Sequence, residues 1–375
     1  MVPVVLLVVL LVVLLYAGCS AVPASGPVVL PTTPSPSTVS VAPSKAPSET
    51  QAAFERGQAL LAAGDMAGAA TSLRAALRSA PERVDARAAL GLALYNMGDL
   101  DGAVEELRAA LRQNPDAVAP RLTLASTLIA RREWEAARFE LEAVLRAHPD
   151  LGQAHYSLGV VRYARGDLNG AIDAYRRAST ADPQNLDARY NIGLVLKLQR
   201  RDAEAIPELL AAAAGGHARA QYFVGTAYAT GAGVERNLSL AVRWWFSAAD
   251  QGVSQAHDAL GQLRTVALGR GRRGAADRVA AEQAFRDYRA DLWKRFPELT
   301  PTPDASVGEA LLGQGRVADA VPILILEAAA LGEPAQRLLE TLYEQGVDGQ
   351  LPAHDARILG YLESAAAEGL RPPIR

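Results

Sequence analysis

Four prolines, Pro81, Pro115, Pro149 and Pro183, stand 34 residues apart, and no other feature of this 375-residue chain restricts its fold as much. In phase with them comes a small residue early in each interval (Gly57, Gly91, Ala125, Gly159) and an alanine 12 residues later (Ala69, Ala103, Ala137, Ala171). Three intervals also carry a Gly-Asp pair between these markers, Gly64-Asp65, Gly98-Asp99 and Gly166-Asp167. A fixed period of this length marks one supersecondary unit repeated in tandem. The small residue and the alanine let two helices approach closely. The glycine takes the left-handed backbone that ends the first helix, and the aspartate caps the second. Proline cannot continue a helix and so closes the unit. Each unit is amphipathic and buries its apolar face only against its neighbours.

This arrangement resembles the tetratricopeptide repeat family. The resemblance implies an all-α chain wound as a right-handed α-solenoid, with units at 50–83, 84–117, 118–151 and 152–185. A fifth unit starts at Leu186, with Gly193 and Ala205 in phase but no closing proline. In the third unit Arg131-Arg132-Glu133-Trp134 replaces the Gly-Asp turn, so a non-glycine residue must turn left-handed there. Beyond Gly216 the period lengthens to 36, pairing Gly216 with Gly252, Ala220 with Ala256 and Gly225 with Gly261. That segment resembles the Sel-like repeat. Gly231 and Gly233 permit its longer loop, Ala241 packs the second helix, and Trp244, Trp245 and Phe246 supply a bulky core face. Arg264 to Gly274 then reads as a solvated basic loop and Ala275 to Phe296 as one long helix. From 306 onward a degenerate copy of the junction between the repeat types recurs, with Gly308, Ala320 and Tyr343 matching Gly193, Ala205 and Tyr228. Glu340 replaces its packing glycine and Gly360 falls where Trp245 would lie, as suits a carboxyl-terminal cap facing water. The expected boundaries are 50–215 for the tetratricopeptide units, 216–263 for the Sel-like unit, 264–305 for the basic loop and long helix, and 306–375 for the cap.

The amino terminus is of another kind. An apolar run from Val2 leads into Tyr16-Ala17-Gly18-Cys19, and the first charged residue of the chain is Lys45. Small residues directly before a cysteine resemble the lipobox of bacterial lipoproteins, which implies a signal peptide over 1–18 and lipid on Cys19. Tyr16 stands where that motif has an aliphatic residue, and a basic start is missing; the other reading is an uncleaved membrane anchor. Residues 19–49 are rich in Pro, Ser and Thr and form an extended tether, on the order of 90 Å at most for some 30 residues. Both readings place the folded part in the bacterial cell envelope, facing the periplasm or the exterior.

Nothing in the chain points to chemistry. A net charge of −3 carries no basic excess for nucleic acid, and a single cysteine excludes a disulfide framework. The five histidines, His148, His155, His217, His257 and His354, lie at no ligand spacing from one another. The chain therefore reads as non-enzymatic, with no cofactor, no metal and no small-molecule substrate. What remains is a surface. Carried over residue by residue, the inner-wall positions of tetratricopeptide arrays give Phe54, Gln58, Tyr95, Asn96, Thr123, Ser126, Tyr156, Ser157, Tyr163, Tyr190, Asn191 and Lys197 as a groove for a peptide or protein. Tyrosine beside amide and hydroxyl groups suits such a partner, giving contact area and a polar tip together. The cation positions of a carboxylate-gripping co-chaperone array hold Phe54, Gln58, Ala89, Ala119 and Thr123, which excludes that mode. The resemblance implies a lipid-anchored scaffold for assembling a secretion, pilus or polysaccharide-export complex, or else a docking subunit or regulator of a cell-wall enzyme.

Overall fold

A computed structural model describes residues 49–269, 275–300 and 306–369. The expected signal, Cys19 and nearly all of the tether lie outside the described residues, as does the run 270–274. Among the described residues the chain is all helix apart from an isolated β-bridge between Val347 and Leu351. The tetratricopeptide units are the hairpins α1 (Glu49–Ala62) and α2 (Met66–Ser79), α3 (Val84–Met97) and α4 (Leu100–Gln113), α5 (Val118–Ala130) and α6 (Trp134–Ala147), α7 (Gly152–Ala164) and α8 (Leu168–Ala181), and α9 (Leu186–Leu198) and α10 (Asp202–Ala214). Each hairpin packs on the next, and the first helices α1, α3, α5 and α7 also touch in sequence. The result is an α-solenoid.

The turn chemistry is as the pattern demands. Gly64, Gly98 and Gly166 have φ of 82°, 82° and 81°. The carboxylates of Asp65, Asp99 and Asp167 accept from the amides of Gly68, Gly102 and Gly170 at 2.9, 3.1 and 2.9 Å. In the third and fifth units the left-handed residue is an arginine, Arg132 at φ 60° and Arg200 at φ 62°. Each such turn costs about 1–2 kcal/mol relative to glycine.

The small residue of each first helix has a partner beyond the in-phase alanine. A Cβ on Gly91 would lie 2.5 Å from Cγ of Leu107, and one on Gly193 would lie 2.5 Å from Cγ of Leu209, both 16 residues along. The branched side chain of the second helix thus fills the space a first-helix side chain would occupy. In the hairpin of α11 (Ala218–Thr230) and α12 (Leu238–Asp250) the partner of Gly225 is Trp245, whose Cδ1 would be 2.6 Å away, now 20 residues along. The extra residues form the loop carrying Gly231 and Gly233, at φ 80° and 77°. Trp245 and Phe246 are buried, as expected of a core face.

A second repeating device ties the hairpins. Arg87 binds Glu106 at 2.8 Å, Arg121 binds Glu140, and Arg189 binds Glu208 at 3.5 Å, always from the first helix to a residue 19 further on in the second. Arg87 and Arg121 also donate to the carbonyls of the closing prolines Pro81 and Pro115. In the fourth unit these places hold His155 and Ala174. His155 keeps the bond to Pro149 O, at 2.6 Å, but has no carboxylate opposite.

Beyond α12 the hairpin rhythm stops. Helix α13 (Ser254–Ala267) runs past the expected limit at 263, and Arg264, expected to open a solvated loop, is buried within it. No glycine or proline interrupts the helix between Arg264 and Gly269. Glu368 and the carbonyl of Ala329 receive the guanidinium, with Nε to Oε2 at 2.8 Å, Nη2 to Oε1 at 2.6 Å and Nη1 to Ala329 O at 3.2 Å. Helix α14 (Ala275–Leu292) packs against both α12 and α13 and ends in a 3-10 turn at Trp293–Arg295. The last helices are α15 (Val307–Gly313), α16 (Val317–Ala329), α17 (Glu333–Gln345) and α18 (Ala356–Ala367). Gly308 faces Leu324 as Gly193 faces Leu209, whereas a Cβ on Gly360 would meet open space, so the interlock of the Sel-like hairpin is missing from the cap.

Candidate interaction surface

Because the period is 34, residues one period apart occupy equivalent places on successive first helices, and the face these make is read by register. One register holds Ala88, Leu122, Tyr156 and Tyr190; the next Ala89, Thr123, Ser157 and Asn191; then Leu92, Ser126, Val160 and Leu194; then Tyr95, Ile129, Tyr163 and Lys197. Lys197 is the single charged member, and Asp202 holds its ammonium at 2.8 Å. Over these four registers, from the second unit to the fifth, the face is otherwise aliphatic, hydroxyl, amide and phenol, and the register at its edge adds Asp85, Ala119, Gln153 and Asp187. The repeated Arg–Glu pairs lie on other registers.

The fourth unit departs from its neighbours beneath and beside this face. Besides His155 and Ala174 in place of the ion pair, Tyr175 stands against Gly159 where the other tetratricopeptide units have Leu73, Leu107, Leu141 and Leu209. Its ring lies 5.7 Å from that of Tyr156. The Asn191 amide of α9 donates to the Tyr156 phenol oxygen at 3.3 Å, linking the fourth and fifth units. Burial, reinforced by the charge of Asp187, pushes the Tyr156 phenol up to about 12, so it stays a neutral hydroxyl. Asp187 reaches Nε2 of His217 at 3.1 Å, while Nδ1 of the same ring accepts from Ala220 N at 3.0 Å and caps α11. The carboxylate in turn is held below the usual aspartate range by its bond to His217. His217 stacks on Tyr190 at 4.3 Å, and Tyr190 touches Phe223 at 6.1 Å. A seam of rings and polar groups thus runs from α7 through α9 to α11.

The structure sorts the residues assigned to the face. Tyr163 is 38% exposed, Tyr156, Asn191, Ser126 and Tyr95 are half-buried, and Asn96 is exposed with its amide turned onto Leu92 O of its own helix. Tyr95 is raised by burial. Three expected surface residues are instead packed: Thr123 is 7% exposed with its hydroxyl bonded to Ala119 O of its own helix, and the other two are aromatic. Phe54 is 5% exposed under the guanidinium of Arg83, 3.9 Å from the ring centre, and Tyr190 is 8% exposed. Their register lies at the seam between units, where a large ring is drawn into the gap beside the next hairpin. Asp187, His217, Tyr175 and Phe223 are not among the residues that the repeat pattern nominates. Tyr175 alone was legible, since it is out of character with the leucines one period away. Among the described residues no group of three His, Cys, Asp or Glu is placed to hold a metal ion.

Comparison with known proteins places the repeats by segment. Residues 45–118 and 97–158 match the tetratricopeptide repeat, 161–199 match the TPR repeat, and 218–253 match the Sel1 repeat. No curated protein matches the chain. Among solved structures, MamA 41-end from Desulfovibrio magneticus RS-1 is 22% identical with a TM-score of 0.42, over 44% of this chain and 94% of that one. The MamA RS-1 ArsTM double mutant is 21% identical with a TM-score of 0.43, over 46% and 97%.

Proposed function

From a chain that is a tetratricopeptide and Sel1 repeat protein, and by that construction a protein–protein interaction scaffold, we propose a non-enzymatic scaffold that holds a partner segment on its first-helix face around the fourth and fifth units. The observation that carries this reading is the coincidence of departures in one unit. Residues 155, 174 and 175 all differ from the packing residues that units two, three and five use at the same places, and Tyr156 and Tyr163 lie on the face beside them. A repeat that served packing alone would keep the aliphatic and ion-pair solution of those units. Most of the wall is aliphatic, hydroxyl, amide and phenol, and its charges at Lys197 and Asp187 are already engaged by Asp202 and His217, which favours an apolar and hydroxyl-bearing segment over a charged one. The phenol of Tyr163 and the amide of Asn191 are the contacts of this region with the partner, while Phe54 and Tyr190 support the face from beneath.

The anchor belongs to the same proposal. Lipid on Cys19 hangs the scaffold in the bacterial envelope, with the tether setting its reach, for assembly of a secretion, pilus or polysaccharide-export complex. A photo-reactive residue at position 163 will cross-link the partner in intact cells, and one at Phe139, 61% exposed on a second helix, will not. Equal cross-linking from both positions, or none from 163, refutes the face. Cys19→Ser will release the protein from membranes; retention would favour the uncleaved anchor.

A further inference from the structure

Apart from that face, the chain holds a cavity of about 380 Å³ where three parts of the solenoid meet. It is lined by Gly216 from the turn before α11, by Phe246, Ser247, Asp250 and Gln251 from the end of α12, by Tyr288 and Arg295 at the end of α14, and by Leu326 of α16. Its size falls within the ~300–1,000 Å³ common for small-molecule sites. The floor is rigid and aromatic: Phe246 and Tyr288 stack at 4.0 Å and 11°, and both are buried. Gln251 is oriented by bonds from its Nε2 to Gln221 Oε1 at 2.8 Å and Ser247 O at 3.3 Å, which leaves its Oε1 to accept.

The two charges at the rim set the chemistry. Asp250 and Arg295 are exposed, opposite in sign and open onto the same cavity, yet they form no ion pair with each other or with any other described residue. Arg295 reaches the phenol of Tyr288, and Asp250 acts on the same phenol by its charge, so both lie beside one ring. On a surface whose arginines repeatedly close onto carboxylates, an opposed pair held apart over an aromatic floor is the arrangement that a ligand with both charges would bridge. We propose that this cavity is a binding site for a small zwitterion of dipeptide size, its carboxylate on Arg295, its ammonium on Asp250 and its peptide N–H on the Oε1 of Gln251. The site is built from residues other than those of the first-helix face and stands or falls separately from it.

Calorimetric titration of the full chain with the dipeptide alanyl-leucine tests this. The free dipeptide binds, and Arg295→Gln and Asp250→Asn each weaken it tenfold or more. Amidating its carboxyl gives the same loss as Arg295→Gln and adds nothing to it; acetylating its amine does the same for Asp250→Asn. Both side chains are exposed, so unchanged circular dichroism will accompany either substitution. Tyr163→Ala leaves the titration as in the wild type. Absence of binding by the free dipeptide up to its solubility, or binding that neither substitution alters, overturns the proposal.

Discussion

At the scale of single residues the array is governed by close contacts between small and large side chains. Because a Cβ on Gly91 would lie 2.5 Å from the branch carbon of Leu107, a β-branched side chain there forces the hairpin apart. Gly91→Val will cost about 1–3 kcal/mol in urea unfolding. Gly91→Ala will cost clearly less, because the third unit already accommodates Ala125 against Leu141, both fully buried. The caps are equally local. Asp99→Ala removes the acceptor of the Gly102 amide and will lower stability by about 1 kcal/mol, whereas Asp99→Asn, which keeps an oxygen in place, will be nearly silent. A similar loss in both variants would mean that the charge of Asp99, and not its hydrogen bond, matters.

At the scale of elements the question is what holds one helix to the next. The Arg87–Glu106 pair is only partly shielded, with side chains 24% and 26% exposed, so a double-mutant cycle will return a coupling of about 0.5–1 kcal/mol. The same cycle at His155 and Ala174 in the fourth unit will return none. Near the carboxyl end a buried acid does similar work: Glu327, 2% exposed, accepts from the amides of Val307 and Gly308 at 2.7 and 3.2 Å and so binds α16 to the start of α15. Burial pushes its carboxyl above the ordinary 4.5, against the pull of those amides, Ser306 and Arg289. The folded chain therefore holds this proton more tightly than the unfolded chain. Its stabilising contribution is complete below pH 4.5 and is lost as pH rises through the raised value. Glu327→Gln removes this component, so its stability will fall less than the wild type's as pH rises from 4.5; parallel curves in a pH series of urea titrations would refute the assignment.

At the scale of the molecule a solenoid is a sum of neighbour contacts, and perturbations stay near their origin. The bond between Arg264 and Glu368 is different, joining residues 104 apart and tying the end of α18 back to α13. The Arg264 side chain is 7% exposed and that of Glu368 30%, so losing the arginine strands a partly buried carboxylate. Arg264→Ala will speed hydrogen exchange in α18 by tenfold or more and leave α3 to α8 unchanged; uniform acceleration along the chain would show that the molecule unfolds as one unit.

Much of this was open to reading in the chain alone, for a physical reason. The 34-residue period, the Gly-Asp turns and the closing prolines act through backbone geometry within a few residues, so they fix helix ends and hairpins without help from the rest of the fold. Even the arginine turn at Arg132 follows from what the third unit lacks. Burial does not follow in this way. Phe54 and Tyr190 look like surface aromatics until the neighbouring unit closes over them, and Arg264 looks like the start of a loop until Glu368 arrives from the far end of the chain. The cavity beneath Asp250 and Arg295 draws on residues 216 to 326. No local pattern foretells it, because only tertiary packing gathers the ends of α12 and α14 and a side chain of α16 around one space.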